Sequence, residues 1–197
     1  MRKAIFGNGG HAREVISLLP FDVEIFVDDD FVKSEKEIPL SSFDPEIYEI
    51  MICVGDSQDR KKVADRLPAG TRFFSFIHPS SIIVGDKKNI GIGTFIGPYC
   101  FISCNTRIGN HCVLNRGCHV GHDSILGDCV SMMSNSVVSG NCVIGEECYM
   151  GNNSTIREKI SVCGGVKIGM NSAVVKNIDT TGNYAGVPAK ILNKIKK

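Results

Sequence analysis

Net charge is nearly absent from this 197-residue chain, in which 22 lysines and arginines face 21 aspartates and glutamates to leave +1. That balance argues against nucleic acid or an anionic membrane surface as the main partner, since both are recognised through a basic excess. The closing stretch KILNKIKK is basic, but a short lysine-rich end reads as a solvated terminus. Also missing are a charged-then-apolar leader and any long apolar run, so the expectation is a soluble, cytoplasmic protein with no membrane partner. No CxxC pair occurs among the nine cysteines, which speaks against a structural zinc knuckle. Without a leader, a secreted disulfide framework is not supported either. The length allows one domain, or a small one joined to a medium one.

What is present falls into two grammars. Up to about residue 76, apolar strands alternate with helical patterns. KAIFG is a strand, NGGH a turn and AREVISLL a helix; VEIFVDDD and EIMICVGD are strands, SQDRKKVADRL a polar-faced helix and RFFSFIHP a last strand. Such alternation implies a small parallel sheet, an α/β Rossmann-like unit.

From Ile90 the period becomes six. An aliphatic residue recurs at every sixth position through Val174, fifteen times without a slip, and glycine often follows it, as at Gly97, Gly109 and Gly121. Neither a strand period of two nor a helix period of 3.6 generates this, whereas a hexapeptide solenoid does. Four residues after each aliphatic stands a compact residue, from Thr94 and Cys100 to Ser172 and Ile178. Five cysteines (Cys100, Cys112, Cys118, Cys142 and Cys148) occupy that slot and read as small core residues rather than redox or metal groups. Cys53 falls in a strand and reads as core, while Cys104, Cys129 and Cys163 receive no role.

The segment GCHVGHDSILGD places His119 and His122 three apart, with Asp123 after the second. The six-residue phase turns Cys118 into the prism and both histidines outward. An outward histidine near neutral pKa suits a general base, and an adjacent acid can fix its tautomer. The alternatives are an exposed bystander, or a metal site shared between subunits by His111 and His119. In the first half, GNGGHA satisfies G-x-G-x-x-G/A through Gly7, Gly9 and Ala12, with Asp28 about twenty residues on. A unit ending near residue 76 is small for both halves of a dinucleotide fold. A helix N-terminus holding a diphosphate uses the same physics in less space, and a ligand-free βα turn is the plain alternative.

The glycine-rich βα unit, the hexads and YAGVPAK near the end together resemble the sugar-nucleotide N-acetyltransferases of bacterial surface-glycan (lipopolysaccharide/O-antigen) pathways. The likeness is to the bacillosamine-pathway and perosamine enzymes and to the sialic acid O-acetyltransferases. The resemblance implies a left-handed parallel β-helix of about five coils over residues 77–179, after a Rossmann-like sugar-nucleotide domain at 1–76 and before a cap or tail at 180–197. It also implies a homotrimer, acetyl-CoA as co-substrate and no metal.

Carried over, His122 is the base, Asp123 its orienting acid and Gly140 the oxyanion donor. Asn115, Ser131, Gly140, Asn152, Met170, Ala189 and Lys190 fall to the coenzyme. Gly9, Gly10, His11, Asp28, Asp29, Gly55 and Asp56 fall to the nucleotide-linked amino sugar, whose 4-amino group would be acetylated. The group often has glutamate beside the histidine, and aspartate is one methylene shorter, so its reach is the point to check. Other readings are a sugar O-acetyltransferase, a non-enzymatic trimeric binding protein and a carbonic anhydrase of the γ type.

Overall fold

The computed structural model describes residues 1–192. The last five residues of the predicted 180–197 tail, and with them most of the basic end, lie outside the described residues. The first part is a five-stranded parallel sheet in the order β3-β2-β1-β4-β5. Its strands are β1 (Arg2–Phe6), β2 (Glu24–Val27), β3 (Glu37–Pro39), β4 (Tyr48–Ile52) and β5 (Arg72–Phe73), with helices α1 (Gly10–Leu18) and α2 (Ser57–Arg66). The two longest strands lie at the centre, and β1 and β4 are consecutive neighbours paired over Arg2–Phe6 and Tyr48–Ile52. That arrangement makes the C-terminal ends of β1 and β4 a switch point, the place where open α/β sheets hold ligands.

The pattern RFFSFIHP is two strands rather than one. Arg72–Phe73 completes the α/β sheet, and β6 (Phe76–Ile77) opens the second part by pairing with Phe95–Ile96. That second part is a prism of two-residue strands on three faces. The first face runs through Phe95–Ile96, Val113–Leu114, Ser131–Met132, Tyr149–Met150 and Lys167–Ile168. The second runs through β7 (Ile82–Ile83), Phe101–Ile102, His119–Val120, Val137–Val138, Thr155–Ile156 and Ala173–Val174. The third runs through Arg107–Ile108, Ile125–Leu126, Val143–Ile144 and Ser161–Val162. The aliphatics fill the interior, with Ile96, Leu114, Val120, Met132, Met150 and Ile156 fully buried. The chain thus has the predicted fold class: a Rossmann-like α/β unit followed by a left-handed parallel β-helix.

Each strand residue pairs with the residue eighteen further on, as Val113 does with Ser131. Two slips bound the regular stretch. Ile77 and Ile83 pair with Ile96 and Ile102, nineteen residues on, because one extra residue lies before Ile90. At the other end Val162 bridges Ile178, only sixteen on. Ile178 is therefore a rung aliphatic, not the compact-slot residue it was expected to be.

All the slot residues are buried, and the structure adds a second reason for their identity. Thr94, Cys112, Cys118 and Ser124 each donate to the carbonyl fifteen residues on, at 3.0, 3.2, 3.2 and 2.9 Å. Serine, threonine and cysteine are compact and can also satisfy a turn carbonyl that would otherwise be buried without a partner.

The α/β unit sits on the first face. Ile5, Ala12, Val15, Met51 and Phe74 pack against Phe95 and Val113 in one apolar cluster. Arg60 of α2 is fully buried there. It donates to the carbonyls of Val54 (2.6 Å), His111 (2.6 Å) and Cys129 (2.8 Å) and to Ser131 Oγ (2.8 Å). A buried guanidinium needs its donors satisfied, and here backbone carbonyls from both parts do so.

Candidate functional site

Three turn columns run along the prism, one at each edge. The edge after the second face carries Cys104, His122, Gly140, Glu158 and Lys176, eighteen residues apart. Successive members stack one rung apart, about 4.8 Å.

His122 stands on this edge with its side chain 55% exposed, beside Asp123 at 44%. Nδ1 of His122 lies 2.7 Å from Asp123 Oδ2, so the aspartate does reach the ring. Asp123 adopts φ 59°, in the left-handed region, and this turn geometry brings the short side chain back onto its neighbour. Nδ2 of Asn105, one coil earlier, donates to the other carboxylate oxygen at 3.0 Å. These two hydrogen bonds, the one from His122 first, hold the Asp123 carboxyl below the usual range. A carboxylate accepting at Nδ1 leaves Nε2 as the free lone pair. The imidazole lies over Gly140: a Cβ built there would meet His122 Nε2 at 2.6 Å. Among the described residues the Gly140 N–H has no acceptor, as for several residues at this turn position.

The remaining coenzyme-side predictions divide. Ala189 and Lys190 line a cavity of about 290 Å3 with Val174, Lys176 and Asn177. Lys176 ends the His122 column, so this cavity lies further along the same edge. Asn152 and Met170 are exposed on the edge that follows the first face, and Asn115 lies at that edge too, so one chain does not bring them to His122. Ser131 is corrected: it is fully buried beneath the α/β unit, donating to Gly55 O at 2.9 Å and accepting from Ser57 Oγ at 2.9 Å. Its strand position points outward, but the first face is covered.

The sugar-nucleotide predictions also separate. A cavity of about 310 Å3 at the end of β1 is lined by Gly7, Asn8, Gly9, Asp28, Phe31, Lys33 and Glu37, among others. Gly7 needs its φ of +113° and the close approach of Cys53 O, whereas around Gly9 and Gly10 there is open space. The N-terminus of α1 has no side-chain cap and no acid in its first turn, so its free amides face this opening without competition. Asp28 lines the cavity while pairing with Arg66 at 2.8 Å. Asp29 Oδ1 instead accepts from Ser41 N at 3.0 Å and lines the neighbouring groove.

Three predictions belong to the joint rather than to this cavity. His11 turns inward against Phe95 (ring centroids 5.5 Å, 80°), with Nε2 buried and unpartnered. Burial, with the Arg60 charge second, brings its pKa down to about 4. Gly55 offers its carbonyl to Ser131 and Arg60. Asp56 caps α2 through Gln58 N (3.0 Å) and Asp59 N (3.1 Å) and bonds Lys167 Nζ at 2.7 Å.

Glu37 was not anticipated. It accepts from Asn8 Nδ2, Lys33 N (2.6 Å) and Ser34 N (3.0 Å), closing one side of the cavity. The Lys33 amide and then Asn8 hold its carboxyl below the ordinary range. Asn105 was missed as well, although its eighteen-residue spacing from Asp123 is readable. His119 stacks edge-on with Phe101 at 4.8 Å, while His111 lies against Phe73 at 4.5 Å. No group of three or more potential metal ligands occurs among the described residues, and no helix there is long and apolar enough to cross a membrane.

Residues 3–67 match the PglD N-terminal domain. The chain is 28% identical over 144 residues to a GDP-perosamine N-acetyltransferase of Escherichia coli O157:H7, a match spanning 64% of this chain and 65% of that relative, just under two thirds. The acetyltransferase domain of PglB from Neisseria gonorrhoeae FA1090 superposes with a TM-score of 0.84 at 26% identity, over 97% of this chain and 99% of that one. The same domain with acetyl coenzyme A bound gives 0.82 at 27%, over 97% and 98%. A histidine-to-asparagine mutant of perosamine N-acetyltransferase from Caulobacter crescentus, in complex with CoA and GDP-perosamine, gives 0.87 at 22%, over 98% of each chain. By its fold the chain has the architecture of the hexapeptide-repeat superfamily, and in its first domain and these relatives it is similar to the sugar-nucleotide N-acetyltransferases.

Proposed function

We propose that the chain transfers the acetyl group of acetyl-CoA to the 4-amino group of a nucleotide-linked amino sugar for surface-glycan synthesis, with His122 as general base. The observation that carries this reading is the His122–Asp123 pair lying over Gly140, on the edge that leads to the cavity at Val174–Lys190. From His122 to Lys176 is three rungs, about 14 Å at about 4.8 Å each. That suits a coenzyme arm laid along the edge with its thioester at the histidine and its nucleotide end at Ala189 and Lys190. The relatives add support: one acts on a GDP-linked amino sugar by name, and another binds acetyl coenzyme A.

The sugar nucleotide is assigned to the β1 cavity, its diphosphate at the amides of Gly9 and Gly10, where the start of α1 favours anions. Because the α/β unit covers the first face and His122 stands on the opposite edge, the cavity that serves a given His122 is a neighbouring copy's. Nε2 of His122 takes a proton from the attacking nitrogen while Asp123 holds the proton on Nδ1. The Gly140 amide, unpartnered and next to the ring, is the candidate donor to the developing oxyanion, worth about 3 kcal/mol when well placed. Holding the two substrates together supplies much of the remaining acceleration. Asn152 and Met170 lie on another edge, so a role for them at the coenzyme requires a neighbouring copy, in keeping with a homotrimer that has its clefts between prisms.

The test is release of CoA thiol from acetyl-CoA across a panel of UDP-, dTDP- and GDP-linked amino sugars, with sialic acid as the O-acetylation arm. His122→Ala is expected to lower kcat about 1,000-fold while sugar-nucleotide affinity stays within twofold. Parental turnover in that variant would end the base assignment.

A further inference from the structure

The Asp123 carboxylate sits on an exposed edge, where one hydrogen bond to an imidazole competes with water and with rotation about a broad terminal torsion. Its second anchor is Asn105, whose Nδ2 reaches Oδ1 at 3.0 Å while Oδ2 serves His122 at 2.7 Å. An asparagine at a left-handed position has an ordinary backbone reason to be there. Five occupy such positions: Asn105, Asn135, Asn141, Asn153 and Asn171. Of these five, only Asn105 has a side-chain hydrogen bond among the described residues. Backbone geometry explains all five; it does not explain why one amide is aimed at the acid beside the base.

We infer that Asn105 is a positioning residue for the acetyl transfer, fixing the Asp123 carboxylate so that His122 Nε2 is aimed over Gly140. With one oxygen committed to the coil before and the other to Nδ1, the plane of the carboxylate is set. The imidazole plane is set through it. No bond is made or broken at Asn105, and the mobile proton stays on the histidine. The three coils contribute Asn105, then His122 and Asp123, then the clearance at Gly140, so the alignment comes from stacking and not from one loop. This inference rests on the assignment of His122 as base.

Asn105→Gly is the informative variant, because glycine accepts φ 56° and the turn is retained. It should lower kcat about tenfold with KM for both substrates and the melting temperature unchanged. In an Asp123→Ala background the same change should cost nothing further, since there is no carboxylate left to orient. Asn105→Asp, which keeps size and turn but presents an acceptor to an acceptor, should fall at least as far as glycine. A kcat within twofold of the parent in Asn105→Gly, or the same fold loss with and without Asp123, overturns the inference. Collapse of His122→Ala beside a normal Asn105→Gly overturns it alone, leaving the base in place; a normal His122→Ala removes the base assignment and this inference with it.

Discussion

The two parts of the molecule hold their functional groups by different means. In the prism, position follows from arithmetic: a residue and its neighbours eighteen away share an edge, and a side chain is aimed by its place in the hexad. In the α/β unit, position follows from loops and from a few buried polar contacts, such as Glu37 on the 33–37 turn and Arg60 at the joint. The difference teaches where substitutions should act. On the prism edge they should alter chemistry and spare stability; at the joint they should alter stability first.

The sharpest way to break this comparison is Gly140→Ala. The added Cβ would stand 2.6 Å from His122 Nε2, and the imidazole is the side that can yield. The ring should swing off the edge and part from Asp123, cutting kcat about 100-fold. Gly140 does not sit at a positive φ, so thermal unfolding should scarcely move. A large fall in melting temperature would mean that the edge carries stability after all.

On the other side stands His11, held neutral by burial with a pKa of about 4. An unfolded histidine titrates near 6.5, so folding is favoured in full above that value and loses ground as pH falls toward 4. The whole interval corresponds to a few kcal/mol, on the order of 3. Denaturant unfolding between pH 7 and pH 4 should show this slope, and His11→Gln should flatten it. An unchanged slope would place the acid sensitivity elsewhere.

The smallest effect is expected for Asp56→Ala at the same joint. Burial opposes its ionisation, yet Lys167 and two backbone amides hold its carboxyl below the ordinary range. Loss of this cap should cost about 1 kcal/mol at pH 7. Because the folded pKa is depressed, that contribution is present above the unfolded value near 4 and fades as pH falls through it. The two proteins should therefore converge in stability toward pH 3.

Legibility in the sequence follows the same division. The hexads revealed the prism because fifteen repeats share one phase, and they turned Cys118 inward and His122 outward correctly. The phase failed at both ends, where one residue is added before Ile90 and two are lost before Ile178. β3 went unseen because a three-residue strand carrying Glu37 and Pro39 has no apolar alternation to detect. Ser131 was misassigned because a hexad says which way a side chain points, not which face another domain covers. His11 and Asp56 lie at the joint for a related reason, since a motif marks a turn without saying which side of it meets the neighbouring domain. Asn105 alone was within reach, through its distance of one coil from Asp123.

The eighteen-residue rung has a consequence for how this chain can change length. An extra whole coil inserted after Gly140 would repeat the packing inside the prism and move the Ala189–Lys190 cavity outward by about 4.8 Å, at the cost of the Asp56–Lys167 bond to the α/β unit. The same insertion between Asn105 and Gly140 would build an equally sound prism with its amide, imidazole and clearance out of step. The regular stretch of the prism is modular in its own packing, but the machinery it carries occupies three consecutive modules that have to be inherited together.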